Sequence, residues 1–252
     1  MWKALTREIS PNINSCELTH LNREPIDFEA AQHQHGLYLE ALSACGCQIL
    51  PLTPEPDLPD SVFVEDTAVV VDEVAVITRP GASSRRPETV SVAKHLEAFK
   101  PLARIEAPGI LDGGDVLRIA NRFFVGLSSR SNQDGLEQLR TILEPHGYVV
   151  EAATVTGCLH LKSAVTAIGN DAVLANPAWV DVDQFAVSKV VEVDPTEGYG
   201  ANALLVNSRL IYPAEFPLTR RRLEEAGFEV ITVPASELAK AEGAVTCCSV
   251  VF

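Results

Sequence analysis

The sequence predicts an α/β fold, a closed ring of five β-β-α-β modules making one domain over residues 1–252. Three observations carry that expectation. Apolar, β-branched runs flank a short polar turn at four places, and each reads as a β-hairpin. Behind most of them a helical pattern and a further strand follow, at a spacing of about 40–50 residues, the period range of radial arrays. The two ends of the chain supply the parts of one more module, so joining them seals the ring.

In chain order, the N-terminal strand KALTRE is followed by a helix from Phe28 to Ala44 and the strand CQILPL. The first hairpin, AVVV-DE-VAVIT, occupies 68–78. Its helix, Pro87 to Phe99, puts Val92, Leu96 and Phe99 on one face, and the strand ARIEA follows. The second hairpin, VLRIA-NR-FFVGL, spans 116–127. Leu136, Leu139 and Leu143 form the stripe behind it, Pro145-His146-Gly147 stops that helix, and YVVEAATV follows. The third hairpin, VTAIG-ND-AVLA at 165–175, has a weak helical signal behind it but a strand, VVEV, at 190–193. The fourth, ALLV-NS-RLIY at 203–212, leads through a helix from Leu218 to Ala226 and Gly227 into FEVITV. The C-terminal strand CCSVVF pairs with KALTRE in this reading. An α+β sandwich with hairpins is the alternative.

A chain of 252 residues, 46% hydrophobic and 21% charged, has the makings of a folded core rather than a disordered segment. Lys+Arg number 20 against 34 Asp+Glu, a formal net charge of −14, which argues against nucleic acid and suits a small cationic ligand. The opening MWKALTREIS has no apolar signal region, and no apolar run nears the ~20 residues that span a bilayer, so no membrane role is expected. Cys16, Cys45, Cys47, Cys158, Cys247 and Cys248 lack zinc-ribbon or disulfide-scaffold spacing, which points to reduced thiols and a cytoplasmic enzyme.

Polar residues that stand out from their apolar surroundings gather just before the first strand of each module. The segments are DSVFVEDT (60–67), LDGGDV (111–116), CLHLKS (158–163), GYGANA (198–203) and VTCCSV (245–250). A radial array brings equivalent positions to one end of its axis. Asp60, Glu65, Asp66, Asp112, Asp115, His160 and Cys247 then meet, although they span most of the chain. Taken alone, each has an ordinary reading: a core histidine between two leucines, small cysteine filler, a self-capping turn at Asp112–Asp115, a solvated acidic face. Together they supply a nucleophile, a general acid/base and a carboxylate to orient it. A required metal is not expected, since no two ligands lie at close helical or C-x-x-C spacing.

The motifs FVEDTAVV, ITRPGASSRR, LDGGDV, FFVGLSSRSNQ, LHLKS and TCCSV run in order along nearly the whole chain. They resemble the dimethylarginine dimethylaminohydrolases, guanidine-modifying enzymes of the pentein fold, a five-fold pseudosymmetric ββαβ propeller. The resemblance implies hydrolysis of Nω-methylated arginine to citrulline and a methylamine, without a cofactor. It implies Cys247 as nucleophile, His160 as general acid/base and Asp112 as its support. Asp60, Glu65 and Asp66, in a segment that also carries Phe63, hold the guanidinium and α-amino group; Arg85 and Arg130 hold the α-carboxylate. Leu18 lies in a mobile loop over the site, and the backbone of Ala241 touches substrate. One departure is Glu242, where the mammalian-type enzymes have an aspartate.

The chemistry suits these residues. A guanidinium is a poor electrophile, and a thiolate is the side chain best able to attack its carbon. The acids that grip the cation also disfavour thiol ionisation, so Cys247 ionises when substrate arrives. The rival expectations are an arginine deiminase or amidinotransferase of the same fold, and a non-catalytic binder of arginine derivatives. A secondary expectation is inhibitory Zn²⁺ at Cys247 and His160. A monomer or a homodimer both fit. His33 and His35 are expected to be solvated, and Arg220-Arg221-Arg222 to be a surface run.

Overall fold

A computed structural model describes residues 1–252 and arranges them as five three-stranded sheets. The chain enters with β1 (Lys3–Thr6), α1 (Phe28–Ala44) and β2 (Gln48–Pro51). The next module is β3 (Ala68–Val70), β4 (Ala75–Ile77), α2 (Glu88–Leu96) and β5 (Leu102–Arg104). After it come β6 (Val116–Ile119), β7 (Arg122–Gly126), α3 (Gln133–Leu143) and β8 (Val149–Ala153). A single turn, α4 (Leu161–Ala164), precedes β9 (Val165–Gly169), β10 (Ala172–Ala175) and β11 (Lys189–Glu192). The last full module is β12 (Leu204–Val206), β13 (Arg209–Pro213), α5 (Pro217–Glu225) and β14 (Glu229–Val233), followed by α6 (Ser236–Ala239) and β15 (Val250–Val251).

Every sheet has one pattern: its first two strands run antiparallel and the second and third parallel. The β15-β1-β2 sheet obeys it with strands from both ends of the chain, Ala4 facing Val251 and Leu5 facing Val250. This is the pentein ring. A tight antiparallel turn followed by a crossover to a parallel strand is what hairpins backed by helices produce. In four modules the crossover carries an α-helix whose apolar stripe closes on the sheet. On α3, Leu136, Leu139 and Leu143 are fully buried among Phe123, Val125 and Val150, each burial contributing roughly 1.5–3 kcal/mol. Asn132 caps α3 by accepting the Gly135 N–H at 2.9 Å, and Asp27 caps α1 through the Ala30 N–H at 3.0 Å.

Three details differ from the sequence expectations. The third crossover has only a 3-10 turn, Val182–Phe185, ended by Ala186 at φ +48; Pro177 and the β-branched Val180 and Val182 leave no good helix former there. The terminal strands are shorter than KALTRE and CCSVVF: Cys247 and Cys248 lie in the turn before β15, Cys247 partly exposed and Cys248 buried in the core beside Tyr38. His35 is 6% exposed, not solvated, because its face of α1 packs beside Tyr38 against the sheet; His33 is exposed as expected. No helix is long and apolar enough to cross a membrane.

Candidate active site

The five polar segments do meet at one end of the ring. A 3-10 turn at Val64–Thr67 leads into β3, one at Gly113–Asp115 into β6, and α4 into β9. They are stitched together by hydrogen bonds. Glu65 N–H donates to Cys247 O at 3.1 Å and Gly114 N–H to Asp66 Oδ1 at 2.8 Å. Asn202 donates from Nδ2 to Lys162 O and Thr246 Oγ1, both at 3.0 Å. The two glycines of LDGGDV are demanded by this convergence. A Cβ on Gly113 would strike the Glu65 carbonyl, and one on Gly114 would lie 2.5 Å from His160 Nδ1.

Cys247 and His160 line one narrow cavity, open to solvent at its mouth, with Asp60, Phe63, Asp66, Arg85, Arg130 and Ala241 in its walls. His160 Nε2 meets Asp112 Oδ2 at 3.0 Å, and Nδ1 lies 3.9 Å from Asp66 Oδ1. Burial disfavours the imidazolium, but Asp66, Asp112 and Asp115 together outweigh it and raise the His160 pKa to about 9. The same carboxylates act oppositely on Cys247. Burial first, then Glu65 and Asp66, push its thiol well above the ordinary cysteine range. The Ala244 N–H points at Sγ, 3.4 Å away. Free protein near neutrality therefore holds a neutral thiol beside an imidazolium.

Asp112, fully buried, is fixed from both sides: its Oδ1 accepts the Gly81 N–H at 2.9 Å, and its own N–H donates to Ser131 Oγ at 3.0 Å. Arg130 Nη1 comes within 4.0 Å of Asp112 Oδ2, and Nη2 donates to Thr19 Oγ1 at 3.0 Å. Arg85 is more heavily engaged. Its guanidinium bonds Asp66 at 2.6 Å, both oxygens of Glu88 at 3.2 and 2.9 Å, and Phe63 O at 3.0 Å. Arg85 thus forms the wall of the cavity, with most of its donors taken. Glu65 turns toward the axis, where Lys162 Nζ reaches it at 2.5 Å and Thr246 Oγ1 at 2.9 Å, and it faces the cavity at the opposite end of the ring. Asp60 accepts the Glu17 N–H at 3.1 Å, tying down the segment that carries the half-buried Leu18.

Several residues outside the sequence expectations hold this site. Asp115, counted there only among the converging acids, accepts the Leu161 N–H at 2.9 Å and the Ser128 hydroxyl at 2.6 Å, which fixes the backbone beside His160. Asn202 and Ser131 act likewise. Gly243 is required because a Cβ there would meet the Phe63 ring. A paired GGD before a strand could have pointed to Asp115; Asn202 and Ser131 carry no comparable signal. Asp66, Asp112 and His160 also offer three ligand atoms within 4.8 Å of one another, but each is already held by hydrogen bonds or ion pairs.

Comparison with known proteins agrees with this architecture. Residues 55–198 match the arginine deiminase family profile. The N(G),N(G)-dimethylarginine dimethylaminohydrolase of Streptomyces coelicolor is 43% identical over 98% of this chain and 96% of its own length. That of Pseudomonas aeruginosa is 38% identical over 93% and 92%. A structure of the Pseudomonas enzyme, a cysteine-to-serine mutant complexed with citrulline, superposes with a TM-score of 0.94 over the whole of both chains, at 35% identity. Sequence, length and backbone thus agree throughout, and the chain belongs to the dimethylarginine dimethylaminohydrolase family.

Proposed function

We propose that this protein hydrolyses Nω-methylated arginine, asymmetric dimethylarginine or monomethylarginine, to citrulline and a methylamine. The observation that carries the reading is the placement of Cys247 and His160 on one cavity walled by Asp60 and Asp66, among buried carboxylates that favour a neutral thiol and a charged imidazole. The cationic guanidinium offsets the carboxylate field, so the thiol releases its proton to solvent as substrate binds. The thiolate attacks the guanidinium carbon, and His160 gives its proton to the departing amine, leaving an S-alkylthiouronium. Neutral His160 then takes a proton from the attacking water. Collapse of the adduct returns the thiolate and releases citrulline, which sheds the remaining proton. Asp112 keeps the imidazole oriented throughout.

Asp66 and Asp60 receive the cationic groups of the substrate, beside the Phe63 ring and the Ala241 backbone. Glu65, held by Lys162 and Thr246, contributes field from below Cys247. Arg130 grips the α-carboxylate, and Arg85 shapes the wall that faces it. Leu18 covers the site. No step needs a cofactor; Zn²⁺ acts as an inhibitor at Cys247 and His160, reversed by a chelator. Six free thiols suit a reducing, cytoplasmic setting.

The test is citrulline formation from asymmetric dimethylarginine and, in parallel, from unmethylated arginine. Citrulline with dimethylamine from the methylated substrate supports the reading; preference for plain arginine with ammonia release would make the protein a deiminase. Cys247→Ser is expected to abolish turnover while leaving the fold intact, and undiminished turnover would remove Cys247 from the mechanism.

A further inference from the structure

Glu242 occupies a backbone position that argues against a side chain. Helix α6 ends with Gly243 N–H donating to Leu238 O at 3.0 Å and Glu242 N–H to Ala239 O at 3.1 Å, the paired bonds of a Schellman cap. Glu242 is the left-handed residue of that cap, at φ +58. The corresponding left-handed residues after α1, after the turn that ends α3, and after α5 are glycines: Gly46, Gly147 and Gly227. A glutamate here accepts a crowded Cβ that the other three ends avoid.

What the side chain does explains its presence. Its carboxylate accepts three consecutive backbone N–H groups from the segment over the cavity: Thr19 at 2.9 Å, His20 at 2.5 Å and Leu21 at 2.8 Å. Successive amides converging on one anion form a nest. The same segment is held at its start by the Asp60 carboxylate and by Ser84 Oγ, which donates to Glu17 at 2.5 Å. Residues 16–27 contain no regular helix or strand, so those three amides have no other partner of their own. Glu242 and Glu17 both line the catalytic cavity, while His20 and Leu21 line a larger apolar cavity next to it, which shares Leu159, Glu242 and Gly243 with the first.

We propose that Glu242 is a positioning residue: its carboxylate latches the backbone of Thr19–Leu21 and so holds the Leu18 segment shut over the reacting groups. The kinetic part of this inference rests on the reading in the preceding subsection; the latch itself does not. Substrate entry and product release then require the three amides to leave the carboxylate together. The strain at Glu242 is offset by these three bonds, which a glycine at this cap could not make.

Amide hydrogen exchange of the substrate-free protein tests the latch, with Glu242→Gly and the isosteric Glu242→Gln compared with wild type. Exchange at residues 19–21 is expected to quicken about tenfold or more in both variants. Glu242→Gly should unfold at the same or a higher temperature than wild type, because glycine suits the cap. With asymmetric dimethylarginine, KM should rise about tenfold while kcat changes far less, a split that loss of fold would not give. Exchange at 19–21 unchanged in both variants would overturn the proposal. Faster exchange in a protein that turns over no methylated arginine would leave the latch standing and remove the substrate assignment instead.

Discussion

Cys247 and His160 feel the same buried carboxylates and respond in opposite directions, one held neutral and the other held charged. The imidazolium persists below about 9, so the acid needed for amine departure is present at neutral pH and is lost as pH rises through that value. Asp112→Asn removes one of the groups that sustain it. We expect the alkaline limb of the kcat profile to move to lower pH and kcat to fall about 10²-fold or more; a limb that stays in place would show that Asp112 only positions the ring. Arg130→Ala should raise KM for amino-acid substrates strongly, and an unchanged KM would put the carboxylate grip elsewhere. His35 works on stability instead. Burial lowers its pKa to about 4, from 6.5. Its neutral form therefore stabilises the fold fully above about 6.5, and that contribution declines as pH falls toward 4, by about 3 kcal/mol at the limit. His35→Leu should flatten the acid side of the unfolding curve, and urea titrations between pH 4 and 7 measure it. The meeting of Cys247, His160 and Asp112 was legible in the sequence because each is a reactive side chain set among apolar neighbours. His35 was not, since a helix with histidines at 33 and 35 shows no clear period from which to tell its buried face.

At the scale of elements, the hairpins were the most legible part, because β-branched runs around Asn-Asp, Asn-Arg or Asn-Ser leave few alternatives. The α2 and α3 stripes followed from leucine and valine spacing, except that Phe99, expected on the α2 face, lies beyond the helix end and is exposed. The third crossover was not legible as a helix, and it is not one. The latch and the backbone anchors escaped for a common reason: they work through main-chain N–H groups, which every residue possesses. The Gly113-Gly114 turn joins these levels, as its first glycine lets the Glu65 carbonyl pass and its second makes room for the His160 ring. Gly114→Ala would displace the imidazole and the Asp66 carboxylate together. We expect kcat to fall about 10²-fold, the size of effect an ångström of misplacement produces. Turnover near wild type would show that the ring can shift without harm.

On the scale of the whole molecule, the repeat decides where the chemistry sits: five modules related around an axis put equivalent residues side by side however far apart they lie in sequence. That geometry made the meeting of Asp66, Asp112, His160 and Cys247 readable before any coordinates. The angles at which side chains leave their turns were not readable, which is why the heavy engagement of Arg85 and the axial turn of Glu65 emerge only in three dimensions. The chain ends are bonded to each other, Lys3 N–H to Phe252 O at 2.8 Å and Phe252 N–H to Lys3 O at 2.9 Å. A permuted chain with those ends joined by a short linker and new ends cut between Asn170 and Asp171 should keep the far-ultraviolet spectrum and most of the turnover. Loss of both would mean that the order of the modules matters as well as their arrangement.

The pairing of β1 with β15 also sets an order in time. During synthesis β1 leaves the ribosome with its neighbour on one side missing, and waits until β15 has been made. The thiol arrives in the same few residues as the missing strand. With Cys247 as the proposed nucleophile, a growing chain that already holds the histidine and every acid of the pocket stays inert toward methylated arginine until the circle closes.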